Sequence, residues 1–174
     1  MDQQSKSFIE VDAASHFPIQ NLPYGVFRHP QDPSARVGVA IGNQILDLAA
    51  LEQQGLLTDF GARSPVFDRS SLNPFFDLGR AAWTRVRTRL GELLSAECGE
   101  LRDNGPLCNQ VLLPMDACQM LLPVEVPDYT DFYSSRDHAT NVGTMLRGAE
   151  NALQENWLHL PVAYHGRASS LVIS

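Results

Sequence analysis

The stretch RVGVAIGNQILDL, residues 36–48, decides the fold of the first part of the chain. Its first half alternates valine and isoleucine with small residues as far as Ile41, and a second apolar run follows from Gln44. The dipeptide Gly42-Asn43 stands between them, and two-residue connections of this kind are typical of β-hairpins. The stretch therefore predicts two antiparallel strands joined by a tight turn.

The segments on either side of this hairpin predict short elements. Residues 21–27 hold apolar side chains around one proline and one glycine, a pattern that favours an edge strand or an irregular strand. Residues 29–34 carry two prolines and are expected to form a loop. Residues 47–54 predict a short helix that ends at Gly55, where glycine readily forms a left-handed cap.

A longer helix is predicted further along the chain. Asn73 before Pro74 has the pattern of a helix cap followed by proline at the first helical position. The helix is expected to run to about Ser95. Its apolar stripe consists of Trp83, Val86, Leu90 and Leu93. Arginines cover much of the remaining helix surface, which favours a solvated face. A polar loop is expected over residues 100–110.

Composition and charge exclude several classes of protein. The chain has 174 residues, 44% of them hydrophobic, and a formal net charge of −7 at pH 7. The negative charge argues against a surface that follows nucleic-acid phosphates. No stretch approaches the roughly 18 apolar residues of a membrane span. The three cysteines fit neither a common zinc motif nor a disulfide scaffold, so free thiols in a cytoplasmic protein are expected.

Two domains are expected, because the composition changes near the Leu-Leu-Pro motifs at residues 112–114 and 121–123. Residues 1–122 are predicted to form a small β-rich, barrel-like module with a helical extension, which makes the fold class mainly β with α. Residues 123–174 are too few to bury a good core alone. They end on a β-branched strand pattern at residues 171–173, so the chain is expected to be the front portion of something longer.

The densest group of polar functional side chains lies in residues 126–141, VPDYTDFYSSRDHATN. Ser134 begins a variant of the capping box, with aspartate three residues later, so a helix is predicted from Ser135 to about Arg147. His138 then falls in the first turn, where the positive end of the helix dipole favours the neutral imidazole that a general base needs. The alternative, which spacing alone favours, is a core-edge histidine with one hydrogen bond.

Four further side chains near this helix can carry chemistry, and most have a plainer alternative. Asp131 can ligate a hard cation, although a cap or a surface carboxylate is the commoner role. Tyr133 can donate to a substrate oxygen or can simply pack. Arg147 can form a bidentate fork with a substrate carboxylate or can interact with the helix dipole. Tyr164 stands before His165-Gly166, a turn that brings backbone near a ligand.

The chain closely resembles the fumarylacetoacetase family along nearly its whole length. The motifs that carry the resemblance are FPIQNLPYGVF at residues 17–27, GVAIG at 38–42 with QILDL at 44–48, DYTDFYSS at 128–135 with HATNVG at 138–143, and NWLHLP at 156–161 with YHGRASS at 164–170. The motifs after residue 127 are highly specific, and residues 60–111 are the loosest part of the match.

The resemblance implies an enzyme that hydrolyses a carbon–carbon bond of a diketo acid to fumarate and acetoacetate, in tyrosine and phenylalanine degradation. It implies an SH3-like barrel that leads into a mixed β-roll catalytic domain, and a homodimer. By the same resemblance Asp131 ligates Ca²⁺ or Mg²⁺, and His138 is the general base that activates water. Contacts to the substrate are implied for Tyr133, Arg147 and Tyr164.

In the family, the remaining metal carboxylates and the partner of the base lie beyond residue 174, so this chain alone is expected to be inactive. Two functions remain open. The first is the N-terminal part of an enzyme of this family. The second is a non-catalytic SH3-like module, for example a defective dimer partner of a longer homologue. Retention of all five site residues favours the enzyme, since a binding module has no physical reason to keep them.

Overall fold

A computed structural model describes residues 6–166 and residue 171. The chain forms two compact units, Met1–Glu125 and Val126–Ser174; the sequence placed its expected boundary near residue 122. In the described residues, helical residues outnumber strand residues. The fold class is therefore mixed α and β rather than mainly β, because segments expected to be loops form helices.

The first unit is built on a five-stranded antiparallel sheet. Its strands are β1 (Tyr24–His29), β2 (Asp32–Ile41), β3 (Gln44–Asp47), β4 (Leu112–Pro114) and β5 (Gln119–Leu121). The predicted hairpin is confirmed, since Ile41 pairs with Gln44 and Gly42 adopts a φ of 58°. The loop expected over residues 29–34 is only a two-residue turn, because β1 ends at His29 and β2 begins at Asp32.

The order of the strands is β4-β3-β2-β1-β5. Strand β1 pairs with both β2 and β5, so it is not an edge strand. The other predicted possibility, an irregular strand, is confirmed, because the register of β1 against β2 shifts between Phe27 and His29. Strands β4 and β5 lie at opposite edges, and in the described part of the chain no pairing joins them. The sheet is therefore open, rather than the closed barrel that was expected, because these two short strands pair only with β3 and β1.

Within the described residues of the first unit, the helices are α1 (Leu48–Gln53), α2 (Asn73–Phe76), α3 (Gly79–Leu93), α4 (Gly99–Arg102) and α5 (Gly105–Val111), with a 3₁₀ turn at Met115–Ala117. The prediction of α1 is confirmed, with Asp47 as its side-chain cap and Gly55 at a φ of 71° after its end. The polar loop expected over residues 100–110 is wrong, since α4 and α5 occupy it and Asn104 caps α5.

The long helix predicted after Asn73 is also wrong in two respects. The helix is interrupted after Phe76, and α3 begins at Gly79, whose φ of 78° is left-handed. The Asn73 side chain does not cap α2; its amide nitrogen donates to the Glu125 carbonyl at 2.9 Å, and its amide oxygen accepts from the Glu125 N–H at 3.0 Å. A bond that spans 52 residues therefore replaces the local cap.

One face of the sheet and the inner face of α3 form the core of the first unit. The fully buried members of the predicted α3 stripe are Val86, Leu90 and Leu93. Trp83, the fourth member, is 39% exposed, and its indole N–H donates to the Phe75 carbonyl at 2.9 Å. Each fully buried side chain of this kind contributes about 1.5–3 kcal/mol to folding.

The predicted solvated arginine face of α3 is confirmed only in part, since Arg80 and Arg85 are exposed whereas Arg87 and Arg89 are partly buried. Three of them hold neighbouring loops through backbone carbonyls: Arg85 donates to Asp59, Arg87 to Ile19 and Gln20, and Arg89 to Leu56. Arg89 also donates to the Glu100 carboxylate at 2.7 Å. These guanidinium groups therefore satisfy loop carbonyls that lack partners in regular secondary structure.

The second unit contains β6 (Thr130–Phe132), α6 (Arg136–Arg147), two 3₁₀ turns (Ala149–Asn151 and Glu155–Leu158) and β7 (Ala163–His165). Its buried hydrophobic side chains, within the described residues, are only alanines, while Met145 is 76% exposed and Leu146 73% exposed. The strand predicted over residues 171–173 lies, apart from Leu171, outside the described residues. In the described part of the chain, no helix combines the length and the apolar character needed to cross a membrane.

Candidate functional site

A cavity of about 330 Å³ lies in the second unit. It is lined by α6, by β7 and by the segment that joins β6 to α6. Four side chains singled out from the sequence line it: Tyr133, His138, Arg147 and Tyr164. The fifth, Asp131, lies on β6 and contacts Tyr164. The fold thus gathers all five predicted site residues at or beside one cavity.

Strand register brings Asp131 and Tyr164 together. Strands β6 and β7 are antiparallel, and these two residues are direct partners across the pair. The Tyr164 Oη donates to the Asp131 Oδ2 at 2.5 Å. This hydrogen bond raises the pKa of Tyr164, because ionisation would lose the donor and place two negative charges side by side. The contact keeps the phenol protonated and orients the carboxylate.

The start of α6 positions His138. The N-cap is Ser135, one residue after the predicted Ser134, and its Oγ accepts from the backbone N–H of His138 at 3.3 Å. Ser135 has an extended backbone, with φ −75° and ψ 119°, which suits a cap residue. His138 lies in the first turn as predicted, exposed and on the cavity wall, where its imidazole can reach a solvent molecule.

The guanidinium of Arg147 donates to two backbone carbonyls, which the sequence did not indicate. Its Nε donates to the Asn151 carbonyl at 3.1 Å and an Nη donates to the Ala152 carbonyl at 2.8 Å. Gly148, with a φ of 83°, turns the chain back so that these carbonyls face the end of α6. Arg147 therefore fastens the 3₁₀ turn Ala149–Asn151 to the helix while it lines the cavity.

Two further residues support the cavity and were not identified from the sequence. The indole N–H of Trp157 donates to the Tyr133 carbonyl at 3.2 Å, which ties the second 3₁₀ turn to the cavity wall. Gly143 lies so close to the Ala152 carbonyl that a Cβ atom would overlap that carbonyl. A glycine inside a helix is a signal of such close backbone approach, and this signal was available in the sequence.

Asp131 is the described residue that was predicted to bind a hard cation, and the described residues do not form a complete metal site around it. Asp131 offers the carboxylate oxygen that Ca²⁺ and Mg²⁺ prefer, but each ion takes about six or more oxygen ligands. Among residues 6–166, no group of three or more histidine, cysteine, aspartate or glutamate side chains is arranged to hold a metal. Asp128 is the acidic residue nearest to Asp131 in the sequence, but its Oδ1 lies 3.7 Å from the Nε2 of His165.

The sequence of this chain is similar to sequences of known proteins. Residues 20–123 match the family described as Fumarylacetoacetase N-terminal. Proteins named fumarylacetoacetase are 54% identical over 168 residues in Mus musculus, 52% over 168 in Homo sapiens and 50% over 169 in Dictyostelium discoideum. Each comparison covers 97% of this chain and 40% of the relative.

The chain thus spans about 40% of the length of these relatives. The similarity extends past the family match into the second unit, where the cavity lies. Since the family match covers more than half of the residues, this chain belongs to the fumarylacetoacetase N-terminal family.

Proposed function

We propose that this chain is the N-terminal part of a fumarylacetoacetase, which hydrolyses the carbon–carbon bond of 4-fumarylacetoacetate to fumarate and acetoacetate. The observation that carries the proposal is the 54% identity with the mouse fumarylacetoacetase across 97% of this chain. Because the chain spans about 40% of that relative, the activity is assigned to the whole protein rather than to these residues alone.

The side chains around the cavity suit the proposed reaction. His138 would take a proton from water, and the resulting hydroxide would attack a carbonyl carbon of the diketone. The bond to the neighbouring carbon then breaks, its electron pair leaves with acetoacetate, and a proton is added to that carbon. Tyr133 would donate its hydroxyl hydrogen to a substrate oxygen, and Arg147 would supply a cation for a substrate carboxylate. Tyr164 would also contact a substrate oxygen, once a cation bound to Asp131 frees the one hydroxyl hydrogen that Tyr164 donates to that carboxylate.

A divalent cation, Ca²⁺ or Mg²⁺, is proposed as the cofactor, with Asp131 as one of its ligands. Support comes from the chemistry of the side chain, a carboxylate oriented by the Tyr164 hydroxyl. The other ligands must come from outside the described residues. Such an ion would polarise the carbonyl and stabilise negative charge on oxygen.

Three broader properties are proposed with the activity. The first unit would have an SH3-like topology, supported by its antiparallel sheet of short strands, and residues 123–174 would begin a β-roll catalytic domain. The whole protein would form a homodimer. A cytoplasmic location is supported by the free thiols of Cys98, Cys108 and Cys118.

The decisive experiment joins this chain to the remaining part of the mouse relative and follows the loss of diketone absorbance with Mg²⁺ or Ca²⁺ present. The chimera is expected to hydrolyse fumarylacetoacetate, and its His138→Asn variant is the matched inactive control. The 174-residue chain alone is expected to be inactive, since its described residues do not form a complete metal site. A folded chimera that binds the metal but leaves the substrate intact would contradict the proposal.

A further inference from the structure

A groove of about 650 Å³ on the first unit carries positive charge, although the chain as a whole is acidic. One wall is a face of α3 that presents Arg80, Thr84, Arg87 and Thr88. Residues spaced four, seven and eight positions apart lie on one side of a helix, so these polar groups point in one direction. None of the residues that line the groove lines the cavity of the second unit.

The charged side chains that line the groove are both arginines; among the described residues it has no carboxylate lining. Arg80 is exposed, and no described residue forms a hydrogen bond or an ion pair with it. Arg87 is partly buried, donates to the Ile19 and Gln20 carbonyls, and has its pKa lowered by that burial. A partly buried guanidinium acts through a lower dielectric, which strengthens its attraction for an anion in the groove.

Two aromatic residues complete the groove. Trp83 is 39% exposed, and because its indole N–H is engaged by the Phe75 carbonyl, it offers the groove only an apolar ring. Tyr24 contributes a hydroxyl that is buried and has no hydrogen-bond partner in the described part of the chain. A buried donor without an acceptor is rare and costly, and a small side-chain movement would let a ligand oxygen satisfy it.

We propose that this groove binds a small organic carboxylate with a planar apolar body. The carboxylate lies between Arg80 and Arg87, and the apolar body lies against the Trp83 ring. A guanidinium matches the two oxygens of a carboxylate in a bidentate fork. The groove volume falls in the range of about 300–1,000 Å³ that is usual for small-molecule sites. A bare inorganic anion would match the charge but leave the aromatic wall unused.

The test titrates the 174-residue chain with benzoate, benzamide and inorganic phosphate at constant ionic strength. The chain has two tryptophans, so two indole N–H signals report binding in a ¹⁵N spectrum, and a Trp157→Phe variant assigns them. Benzoate is expected to shift the Trp83 signal in a saturable manner. Benzamide, which has the same ring without the charge, is expected to leave it unchanged, and phosphate is expected to bind more weakly than benzoate.

Arg80→Gln is expected to weaken benzoate binding about tenfold or more, through loss of a charge-assisted fork. Arg63→Gln is the matched control, because Arg63 is also exposed and lies outside the groove. An unchanged amide spectrum verifies that both variants fold. The proposal is overturned if benzoate causes no saturable shift, if both variants weaken binding equally, or if phosphate binds as tightly as benzoate.

Discussion

Tyr24 is expected to make the first unit lose stability in alkaline solution. Burial raises the pKa of Tyr24 to about 12, against 10.0 for an unperturbed phenol. Below pH 10 the phenol is neutral in both the folded and the unfolded chain, so its ionisation does not lower the free energy of unfolding there. Between about pH 10 and 12 only the unfolded chain ionises, and the free energy of unfolding falls by about 1.4 kcal/mol per pH unit, or about 2.7 kcal/mol in all.

The assay compares urea unfolding with and without Tyr24→Phe from about pH 9 to about pH 12. Both proteins carry Trp157→Phe, so that the tryptophan emission comes from Trp83 in the same unit as Tyr24. Phenylalanine keeps the ring contact with Phe75, whose centroid lies 5.4 Å away, and removes a hydroxyl that has no partner in the described residues. Other groups titrate in both proteins, so the difference in free energy of unfolding isolates Tyr24.

At about pH 9 the Tyr24→Phe variant is expected to be as stable as the parent, or up to about 1 kcal/mol more stable, because an unsatisfied buried donor is lost. At about pH 12 its advantage is expected to grow by about 2–3 kcal/mol. A difference that stays constant over this range would refute the role of burial. A variant less stable by more than about 1 kcal/mol at pH 9 would show that the hydroxyl has a partner.

Three further predictions concern the sheet and the cavity. Asp47→Ala is expected to cost about 3–5 kcal/mol in urea unfolding, because Asp47 caps α1 and pairs with the nearly buried guanidinium of Arg36 at 2.6 Å. Asp32→Ala, at the exposed partner of the same guanidinium, is expected to cost far less, and equal costs would contradict this. Gly143→Ala is expected to displace the Ala152 carbonyl from α6, seen as shifted α6 amide signals and lost hydrolysis in the chimera; unchanged spectra would contradict it. His138→Asn in the chimera is expected to lower kcat about 10²–10⁴-fold with little change in KM, and a retained kcat would remove it as the base.

The elements predicted correctly from the sequence depend on near neighbours in the chain. The β2–β3 hairpin needs a turn at Gly42-Asn43, and α1 needs a cap at Asp47 and a left-handed residue at Gly55. Each of these requirements is met within about four residues, so a local pattern contains the information. The helix start at Ser135 is of the same kind, and the remaining error of one residue reflects two adjacent serines that can each cap.

The wrong predictions involve partners that are remote in the chain. The α3 arginines were expected to be solvated, but Arg87 donates to a carbonyl 68 residues away and Arg89 to one 33 residues away. The Asn73 side chain bonds to Glu125 instead of capping α2, for the same reason. Periodicity indicates which side chains share a face, but the loop that covers this face depends on the tertiary fold.

The candidate site also combines features that local sequence predicts with features that depend on remote partners. Spacing alone left Asp131 and His138 with plainer roles, and the resemblance to a family supplied the choice among them. The proximity of Asp131 to Tyr164 depends on the pairing of β6 with β7 across 33 residues, which no local pattern specifies. The contacts of Trp157 and Gly143 were missed because each involves backbone carbonyls rather than side-chain chemistry.

Arg147 has a structural role in the fold and a proposed role in substrate binding. A guanidinium has five N–H donors, and the carbonyls of Asn151 and Ala152 accept from two of its nitrogens. Donors therefore remain for a substrate carboxylate on a side chain that already lines the cavity. Because the two bonds restrict its rotamer, the guanidinium would be held in place before a substrate arrives, which would lower the entropic cost of the proposed contact.

Arg147→Lys in the chimera separates these roles, since lysine keeps the charge but cannot form the fork or reach both carbonyls. If the guanidinium also binds the substrate carboxylate, KM is expected to rise about tenfold or more, while the amide signals of Ala149–Asn151 shift because the turn loses its anchor. Arg136→Lys, at an exposed position that does not line the cavity, is the matched control. Shifted turn signals with an unchanged KM would leave Arg147 with the structural role alone, because only substrate binding connects this side chain to KM.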